Sequence, residues 1–439
     1  MTTTRERDPL QGALERLDGL STIKQRGRVT ELVGLVLRAT LPGVRVGDQV
    51  RVLRAGREPL DAEVVGFAQD RVLLMPLGDA DGVGPDSLVE STGGRLSLRC
   101  GDALLGRILD GLGRPLDGGP PPEGELIEWP VDRPAPNPLE RPRIRRPLGL
   151  GVRVIDGLLT VGEGQRVGLF AGSGVGKSML LGQIARNTEA EVSVIGLVGE
   201  RGREVREFVE ESLGPGLAHA VVVCATSDAP PLVRLRSAQV ATAVAEFFRD
   251  RGRRVLLLMD SVTRFARALR EVALAAGEPP ARRGFPPSVF AQLPRLLERT
   301  GTAPRGSITA IYTVLVEGGD MDEPVADEVR GILDGHIVLS RDLAQRGHWP
   351  AVDVLQSVSR TMPAVTDEAH RAAAAHLRRI LATYERRRDL ILLGAYQRGS
   401  DRETDEALQK IEPVLAFLQQ RADEHPPLEE TRRRLLSLF

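Results

Sequence analysis

The stretch Ala-Gly-Ser-Gly-Val-Gly-Lys-Ser at residues 171–178 decides the fold of this chain of 439 residues. An apolar run, Arg166 to Phe170, precedes it, and Ser178 to Asn187 has the pattern of a helix. Between a strand and a helix, glycines allow several backbone N–H groups to turn toward a phosphate, and the helix N-terminus adds partial positive charge. The stretch therefore predicts a P-loop, although Ala171 stands where the stricter pattern has glycine.

Each residue of this loop is a candidate ligand of a nucleotide. Lys177 is expected to reach the β- and γ-phosphates of ATP, and the Ser178 hydroxyl is expected to bind Mg²⁺. A chance glycine-rich turn is the alternative, but the lysine–serine pair lies where a P-loop requires it. The predicted nucleotide-binding residues of the loop are Gly172, Ser173, Gly174, Val175, Gly176, Lys177, Ser178 and Met179.

Two more of the predicted strands are followed by acidic residues. Asp260 comes directly after the apolar run Val255 to Met259, a Walker B pattern whose carboxylate holds Mg²⁺ through water. The strand Val192 to Val198 is followed by Gly-Glu-Arg-Gly-Arg-Glu at 199–204, where a carboxylate could orient the water that attacks ATP. Buried strands often end in aspartate and charged turns are often merely solvated, so the second pattern alone leaves both interpretations open.

On either side of the P-loop the chain changes character. Between Gly27 and Ser91, short β-rich runs separated by turn signals indicate a small all-β barrel. Residues 111–147 are rich in glycine and proline, which predicts irregular connecting chain. The strands predicted in the barrel are Val29–Leu37, Gln49–Leu53, Ala62–Phe67 and Arg71–Met75.

From residue 151 to 360, apolar runs alternate with helical patterns. Several runs are apolar at consecutive positions, as expected for strands buried on both faces of a parallel sheet, so the pattern predicts a doubly wound α/β fold. The predicted strands are Arg166–Phe170, Val192–Val198, Ala220–Cys224, Val255–Met259 and Ile308–Leu315, with helices such as Ser178–Asn187 and Ser237–Asp250 between them. After Thr366 only helices are predicted: His370–Leu393, Glu403–Gln420 and Leu428–Leu438.

Composition excludes several classes of protein. The formal net charge of −1 gives no global case for a nucleic-acid partner and leaves only local basic patches open, and an aromatic content of 3% argues against stacking platforms for single strands. The only two cysteines, Cys100 and Cys224, are far apart, which excludes a disulfide framework and favours the cytosol. No apolar run approaches the ~20 residues that a membrane helix needs, and the polar stretch Met1 to Asp8 does not resemble a secretory signal.

The first residues form a polar arm. Leu10, Leu14, Leu17 and Leu20 recur at helical spacing, which predicts a short amphipathic helix. A frayed or locally packed terminus and a docking helix for a partner or a membrane surface both remain open.

Taken together, the P-loop and the two acidic strand ends resemble the catalytic subunits of rotary-type ATPases, and more closely the type III secretion ATPases of flagella and injectisomes. The resemblance covers residues 25–365, and the C-terminal helices match more weakly. Further stretches that carry it are Pro147–Gly157 (PLGLGVRVIDG), Gly162–Gln165, Asp260–Ala268 (DSVTRFARA), Gly284–Phe290 (GFPPSVF), Leu333–Arg341 (LDGHIVLSR) and His348–Arg360 (HWPAVDVLQSVSR).

The resemblance implies an α/β protein of several parts. A β-barrel domain over residues 25–93 would follow the N-terminal arm, residues 1–24. A RecA-like P-loop core with a parallel sheet would occupy residues 94–365, and a helical domain would occupy residues 366–439.

The resemblance also implies roles around the phosphates. Glu200 matches the glutamate that positions the attacking water, and Arg201 matches a neighbouring arginine that contacts phosphate. Glu204 matches a second acid near the Mg²⁺ shell, which would join Ser178 and Asp260 as a metal-site residue. Arg264, four residues after Asp260, matches a phosphate-sensing arginine.

Two more matches concern the rest of the nucleotide. Arg360 matches an arginine finger that a neighbouring subunit supplies, which implies a homo-hexameric ring; an ordinary salt bridge is the alternative. Trp349 stands where the family usually has a tyrosine that packs on adenine, and core packing is the alternative.

The implied function is ATP hydrolysis that energises type III protein export, by releasing chaperones from cargo and unfolding the cargo. Besides the homo-hexamer, the implied partners are a central coiled-coil stalk, a dimeric stator-like regulator at the N-terminal arm, the export gate and chaperone–cargo complexes. The implied location is cytoplasmic, at the inner face of the bacterial inner membrane. Thr313–Met321 and Val352–Arg360 look more like the injectisome branch than the flagellar branch, which remains the alternative.

Three other functions share parts of this pattern. A rotary ATP synthase subunit has the same catalytic motifs, but the sequences of its P-loop and of the region that corresponds to the residues after Asp260 usually differ from those of this chain. An RNA-translocating hexamer predicts aromatic and basic residues in the barrel, where Phe67 is the single aromatic. A non-catalytic nucleotide-binding subunit should lack the water-positioning glutamate, and Glu200 is present.

Overall fold

The computed structural model describes residues 25–439, so the predicted amphipathic helix with Leu10, Leu14, Leu17 and Leu20 lies outside the described residues. Contacts divide the chain into two compact units, with the division between Leu96 and Ser97. Within residues 25–439, no helix is both long enough and apolar enough to cross a membrane. The domain boundaries expected from the sequence stay a prediction.

The first unit is a closed barrel of six strands in the order β1-β2-β5-β4-β3-β6. Closure pairs every strand on both sides, so the barrel has no free edge. Alternate side chains point inward, among them Leu37, Val50, Val64 and Leu74, and form its hydrophobic core. The strands are β1 Arg26–Val33, β2 Val36–Thr40, β3 Asp48–Val52, β4 Leu60–Ala68, β5 Arg71–Pro76 and β6 Leu88–Arg95.

One predicted strand of the barrel is wrong. The run Val29–Leu37 is not one strand, because the chain turns at Gly34 and continues as the antiparallel strand β2. Gly34 has φ +57°, a left-handed conformation that glycine adopts without steric cost. The apolar residues Leu32, Val33 and Leu35 beside the turn are exposed. Their apolar character made the segment resemble one buried strand, so the sequence pattern did not indicate the turn.

The second unit is built on a nine-stranded sheet with the order β17-β16-β10-β15-β13-β11-β12-β8, in which the short β14 pairs with β15. Strands from β16 to β8 are parallel to their neighbours, and β17 is antiparallel to β16. Its strands are β8 Ile108–Asp110, β10 Arg166–Ala171, β11 Val192–Glu200, β12 Ala220–Thr226, β13 Arg254–Asp260, β14 Gly301–Thr302, β15 Ser307–Leu315, β16 Gly335–Leu339 and β17 Val352–Ser359, and β7 Ser97–Cys100 pairs separately with β9 Ile127–Pro130.

Helices complete this unit, which confirms the predicted fold class. They are α1 Arg153–Leu158, α2 Lys177–Asn187, α3 Gly202–Glu207, α4 Pro231–Asp250, α5 Val262–Ala275, α6 Pro287–Leu297, α7 Pro324–Ile332, α8 Arg341–Gln345, α9 Met362–Val365, α10 Glu368–Leu392, α11 Arg402–Leu418 and α12 Leu428–Leu436. The three C-terminal helices begin and end within two residues of their predicted bounds. Leu377, Ile411 and Phe417 on these helices share one hydrophobic core with Leu169 of β10 and Ile184 of α2.

Some elements of this unit were not predicted. The segment 111–147, expected to be irregular, contains β9, and α4 begins at Pro231 rather than Ser237. Strand β8 has only three residues, which is too short to produce a pattern. The edge strand β17 mixes buried and exposed positions, so it lacks the continuous apolar run by which the central strands were found.

A buried ion pair joins α4 to the chain after α6. Arg299 Nε and Nη2 donate to Glu246 Oε1 and Oε2 at 3.0 and 2.7 Å. The two side chains are only 4% and 1% exposed. In such surroundings neither charge has water to replace its partner, so each depends on the other.

We expect Glu246→Ala to destabilise this unit by about 3–5 kcal/mol, because the Arg299 guanidinium would remain buried without its carboxylate. A loss of that size lowers the Tm by roughly 6–10 °C, which calorimetry detects. Glu210→Ala is the control: Glu210 pairs with Arg206 at 2.7 Å on the surface, and losing that pair should cost less than about 1 kcal/mol. Equal Tm values for Glu246→Ala and the unchanged chain would refute the expectation.

Candidate nucleotide and catalytic site

The predicted P-loop connects the carboxyl end of β10 to the start of α2. Gly174 and Gly176 have φ values of +76° and +81°, in the left-handed region that glycine favours. A Cβ atom added at Gly176 would lie 2.5 Å from Trp349 Cζ3, so a larger residue does not fit there. Val175 is buried while Ser173 and Ser178 are exposed, so the loop is anchored at its centre and open on its polar side.

Lys177, at the start of α2, lies between two carboxylates. Its Nζ donates to Asp260 at both carboxylate oxygens, with 2.6 Å to Oδ2, and lies 3.5 Å from Glu200 Oε1. Asp260 ends β13 and Glu200 ends β11, which are neighbours in the sheet. Carboxyl ends of parallel strands meet at one edge of a sheet, and this brings the three predicted residues together.

Arg264 of α5 lies on the other side of Glu200. Its Nη1 is 2.6 Å from Glu200 Oε1 and donates to the Gly199 carbonyl at 2.7 Å. The contact with the carboxylate lacks hydrogen-bond alignment, so Oε1 is buried without an aligned donor among the described residues. Glu200 is thus held in place by the positive charges of Lys177 and Arg264.

Thr313 of β15 is a site residue that sequence reasoning missed. Its hydroxyl donates to Asp260 Oδ1 at 2.7 Å and fixes the carboxylate from β15, the strand that lies between β13 and the P-loop strand β10. A hydroxyl residue within the buried run Ile308–Leu315 was the available signal, since a buried hydroxyl needs a partner. Ser261 caps α5 by accepting from Arg264 N at 3.2 Å, so the helix that carries Arg264 begins directly at the Asp260 carboxylate.

A cavity of about 660 Å³ lies beside the P-loop. Val175 and Met179 line one side, Trp349 lines another, and the segment 416–424 from the end of α11 onward forms a further wall. The sequence predicted Trp349 but not the segment, because the two are far apart in the chain and no local pattern connects them. A flat aromatic side chain next to apolar residues can bind a planar ring such as a nucleotide base.

Arg201 and Glu204 lie outside the buried cluster. Arg201 is 77% exposed and its Nη1 is 3.1 Å from Glu204 Oε1 at the start of α3. The two side chains therefore form a surface pair close in sequence to Glu200, and the structure does not place them against Lys177 or Asp260.

Arg360 lies at the opposite edge of the sheet from the P-loop. Strand register aligns Ala171 with Leu339 and Gly335 with Ser359, so β16 leads from the P-loop edge to the residue before Arg360. Four residues of strand separate the two edges by ~13 Å, at ~3.3 Å per residue. Arg360 is exposed there, and within one chain it does not reach the phosphate site.

The thiol of Cys224, in β12 near this cluster, takes no part in the chemistry. Burial, with smaller contributions from the Glu200 and Asp228 carboxylates, raises its pKa to about 11. The thiol therefore stays protonated at neutral pH and is a poor nucleophile.

Comparison with known proteins fits this geometry. A sequence model of the ATP synthase alpha/beta family nucleotide-binding domain matches residues 151–359, and one of the T3SS EscN ATPase C-terminal domain matches residues 366–437. The Flagellum-specific ATP synthase of Bacillus subtilis is 52% identical over 431 residues, 98% of each chain. The chain belongs to the family of type III secretion and flagellar export ATPases. It is an ATPase, as the sequence predicted.

Other relatives of this ATPase carry the injectisome name. The Type 3 secretion system ATPase of Xanthomonas euvesicatoria is 51% identical over 435 residues, 98% of each chain. The structure of the assembled ATPase EscN from enteropathogenic E. coli matches with 46% sequence identity and a TM-score of 0.89. The match covers 94% of this chain and 99% of the EscN chain. EscN in complex with its central stalk EscO has a TM-score of 0.87 at the same coverage.

Proposed function

We propose that this ATPase hydrolyses MgATP at the interfaces of a homo-hexameric ring and that hydrolysis energises protein export. The observation that carries the proposal is the charged cluster of Lys177, Asp260, Glu200 and Arg264 beneath the P-loop. It combines a cation for phosphates, a carboxylate for a metal ion and a second carboxylate for water, which phosphoryl transfer requires.

The residues present fit both ATP and Mg²⁺. Glycines 172, 174 and 176 leave the loop backbone open to phosphate oxygens, and Lys177 adds a positive charge. Asp260 and the exposed Ser178 hydroxyl offer the oxygen ligands that Mg²⁺ prefers. Glu204, four residues after Glu200, is the third residue proposed for the metal site. When bound, Mg²⁺ neutralises charge that develops on the phosphates.

Four residues of the chain have separate roles in water positioning and nucleotide binding. Glu200 accepts a hydrogen bond from the attacking water and aligns it with the γ-phosphate. Arg264 holds Glu200 in that position, so the two act together. Trp349 stacks on the base in the cavity beside the P-loop, and Arg201 contacts phosphate once the ring closes around it.

Arg360 supports a ring because of its position at the far edge of the sheet. A finger that cannot reach its own chain's phosphates can act only on the site of a neighbouring copy. An arginine supplied in this way contributes ~10³–10⁵ in rate by neutralising charge on the γ-phosphate.

We expect Glu200→Gln to lower kcat by about 10²–10⁴-fold, because the amide orients water poorly and cannot take its proton. The KM for ATP should change little, since the phosphate-binding loop remains intact. Steady-state ATPase assays measure both constants. Glu210→Gln is the matched control, because its carboxylate lies at the surface, paired with Arg206, and has no role in the proposed site. A Glu200→Gln variant with wild-type kcat would remove Glu200 from the mechanism.

A second experiment tests the shared site. We expect specific ATPase activity to rise with protein concentration and to collapse in Arg360→Ala, because each site needs a neighbour. Mixing Lys177→Ala subunits with Arg360→Ala subunits should restore part of the activity, since some interfaces then combine an intact P-loop with an intact finger.

The control for the mixing experiment is the doubly substituted chain Lys177→Ala/Arg360→Ala mixed with Lys177→Ala, which offers no intact interface. If specific activity is independent of concentration and insensitive to Arg360→Ala, each chain hydrolyses ATP alone and the ring proposal fails.

The export role extends this proposal to partners. By analogy with EscN in complex with its central stalk EscO, a central stalk would occupy the pore of the ring. We further propose that chaperone–cargo complexes are dissociated beneath an export gate at the inner membrane. A stator-like regulator would hold the N-terminal arm. We assign the injectisome branch on the runs Thr313–Met321 and Val352–Arg360; the flagellar alternative is kept because a flagellar relative is 52% identical.

Complementation distinguishes the branches. We expect the chain to restore effector secretion in a strain without its injectisome ATPase and to leave a strain without its flagellar export ATPase non-motile. The Lys177→Ala variant, which lacks the phosphate-binding ammonium, should restore neither and serves as the control. Recovery of swimming alone would reverse the branch assignment.

A further inference from the structure

A buried arginine joins the wall of the proposed base pocket to the start of the ATPase core. Arg153, the first residue of α1, lines the same cavity as Trp349, and its side chain is only 6% exposed. Its Nε donates to the Phe417 carbonyl at 2.9 Å and its Nη2 to the Gln419 carbonyl at 2.6 Å. Nη2 also lies 3.1 Å from a carboxylate oxygen of Glu424.

These acceptors belong to the end of α11 and to the segment after it, residues 419–424, which we call the base-pocket loop. The last carbonyls of a helix lack partners within the helix and carry partial negative charge. A guanidinium with donors in several directions satisfies two carbonyls at once. Arg153 therefore binds the C-terminus of α11 and fixes where the base-pocket loop begins.

The base-pocket loop returns a contact to α1. Gln420 Oε1 accepts from the backbone N–H of Arg153 at 2.7 Å, and Gln420 Nε2 donates to the Gly151 carbonyl at 2.8 Å. Gln420 N donates to the Trp349 carbonyl at 2.9 Å. The start of α1 and the end of α11 thus satisfy each other's free backbone groups. The base-pocket loop is also bonded to Trp349, the residue proposed to stack on the base.

We propose that Arg153 is a positioning residue for nucleotide-base binding: it holds the base-pocket loop against Trp349 and so links occupation of the base pocket to the position of α11. The inference rests on the proposed base site beside the P-loop. The side chain of Arg153 contacts Phe417, Gln419 and Glu424, whereas Lys177 contacts Asp260, so we expect its effect to concern the base and to leave phosphate binding unchanged.

This separation gives the experiment its readout. ATP has a base and inorganic tripolyphosphate has none, while both offer phosphates to the P-loop. Calorimetric titration of the full chain measures the Kd of each ligand. Arg153→Met keeps the aliphatic stem and removes the donors, so we expect the Kd of ATP to rise about tenfold, or about 1.4 kcal/mol, and the Kd of tripolyphosphate to stay within about twofold.

Arg378→Met is the matched control for a purely structural effect. Arg378 is another partly buried arginine that donates to several carbonyls, those of Val354, Ser357 and Leu158, but it does not line the base pocket. It should lower the Tm without altering the ratio of the two Kd values. If Arg153→Met does not fold, Arg153→Lys provides the same test, because lysine keeps the charge and loses the divergent donors.

Trp349→Ala separates failure of this inference from failure of the base site. If Trp349→Ala weakens ATP but not tripolyphosphate while Arg153→Met leaves both Kd values unchanged, Arg153 has no positioning role and the base site stands. If Trp349→Ala leaves the Kd of ATP unchanged, the proposed base site itself is wrong. Equal weakening of both ligands by Arg153→Met would overturn the inference as well, because it would indicate general damage to the site.

Discussion

The ammonium group of Lys177 between the carboxylates of Asp260 and Glu200 is the interaction on which the rest of this site depends. Two buried carboxylates on neighbouring strands would repel each other strongly, and a cation between them makes their proximity stable. Three separate elements must therefore meet at one edge of the sheet, where α2 begins and where β11 and β13 end. Register of the parallel strands supplies that alignment.

The same sheet provides the geometry on which the proposed shared site rests. Its carboxyl edge carries the P-loop and the acidic cluster, and its amino edge carries Arg360. A sheet of this kind is rigid, so no local rearrangement brings its two edges together. In the proposed ring, the amino edge of one copy would face the carboxyl edge of the next, and such a head-to-tail contact forms a ring when the rotation between copies closes.

Sequence reasoning placed residues correctly on strand ends and loops where the pattern is local, and their chemical roles stay predictions. The P-loop, the Asp260 strand end and Glu200 each consist of a few consecutive residues whose spacing fixes their relation to a strand or helix. It failed where a contact joins distant segments: Thr313 touches Asp260 only because β15 lies beside β13, and the base-pocket loop meets Trp349 only through the tertiary fold. The turn at Gly34 was missed for a different reason, since exposed apolar residues around it imitate a continuous strand.

The C-terminal helices contribute to the proposed base pocket through contacts between segments that are distant in the sequence. They share one hydrophobic core with β10 and α2, and the end of α11 forms part of the base pocket. The P-loop at one end of α2 and the base-pocket loop at the end of α11 thus bound the same cavity from two parts of the chain. A displacement of α11 relative to α2 would change the shape of that cavity, because the two helices contribute to different parts of its wall. By reciprocity, a nucleotide that prefers one shape of the cavity would bias the position of α11 equally, which would couple the proposed base site to the C-terminal helices.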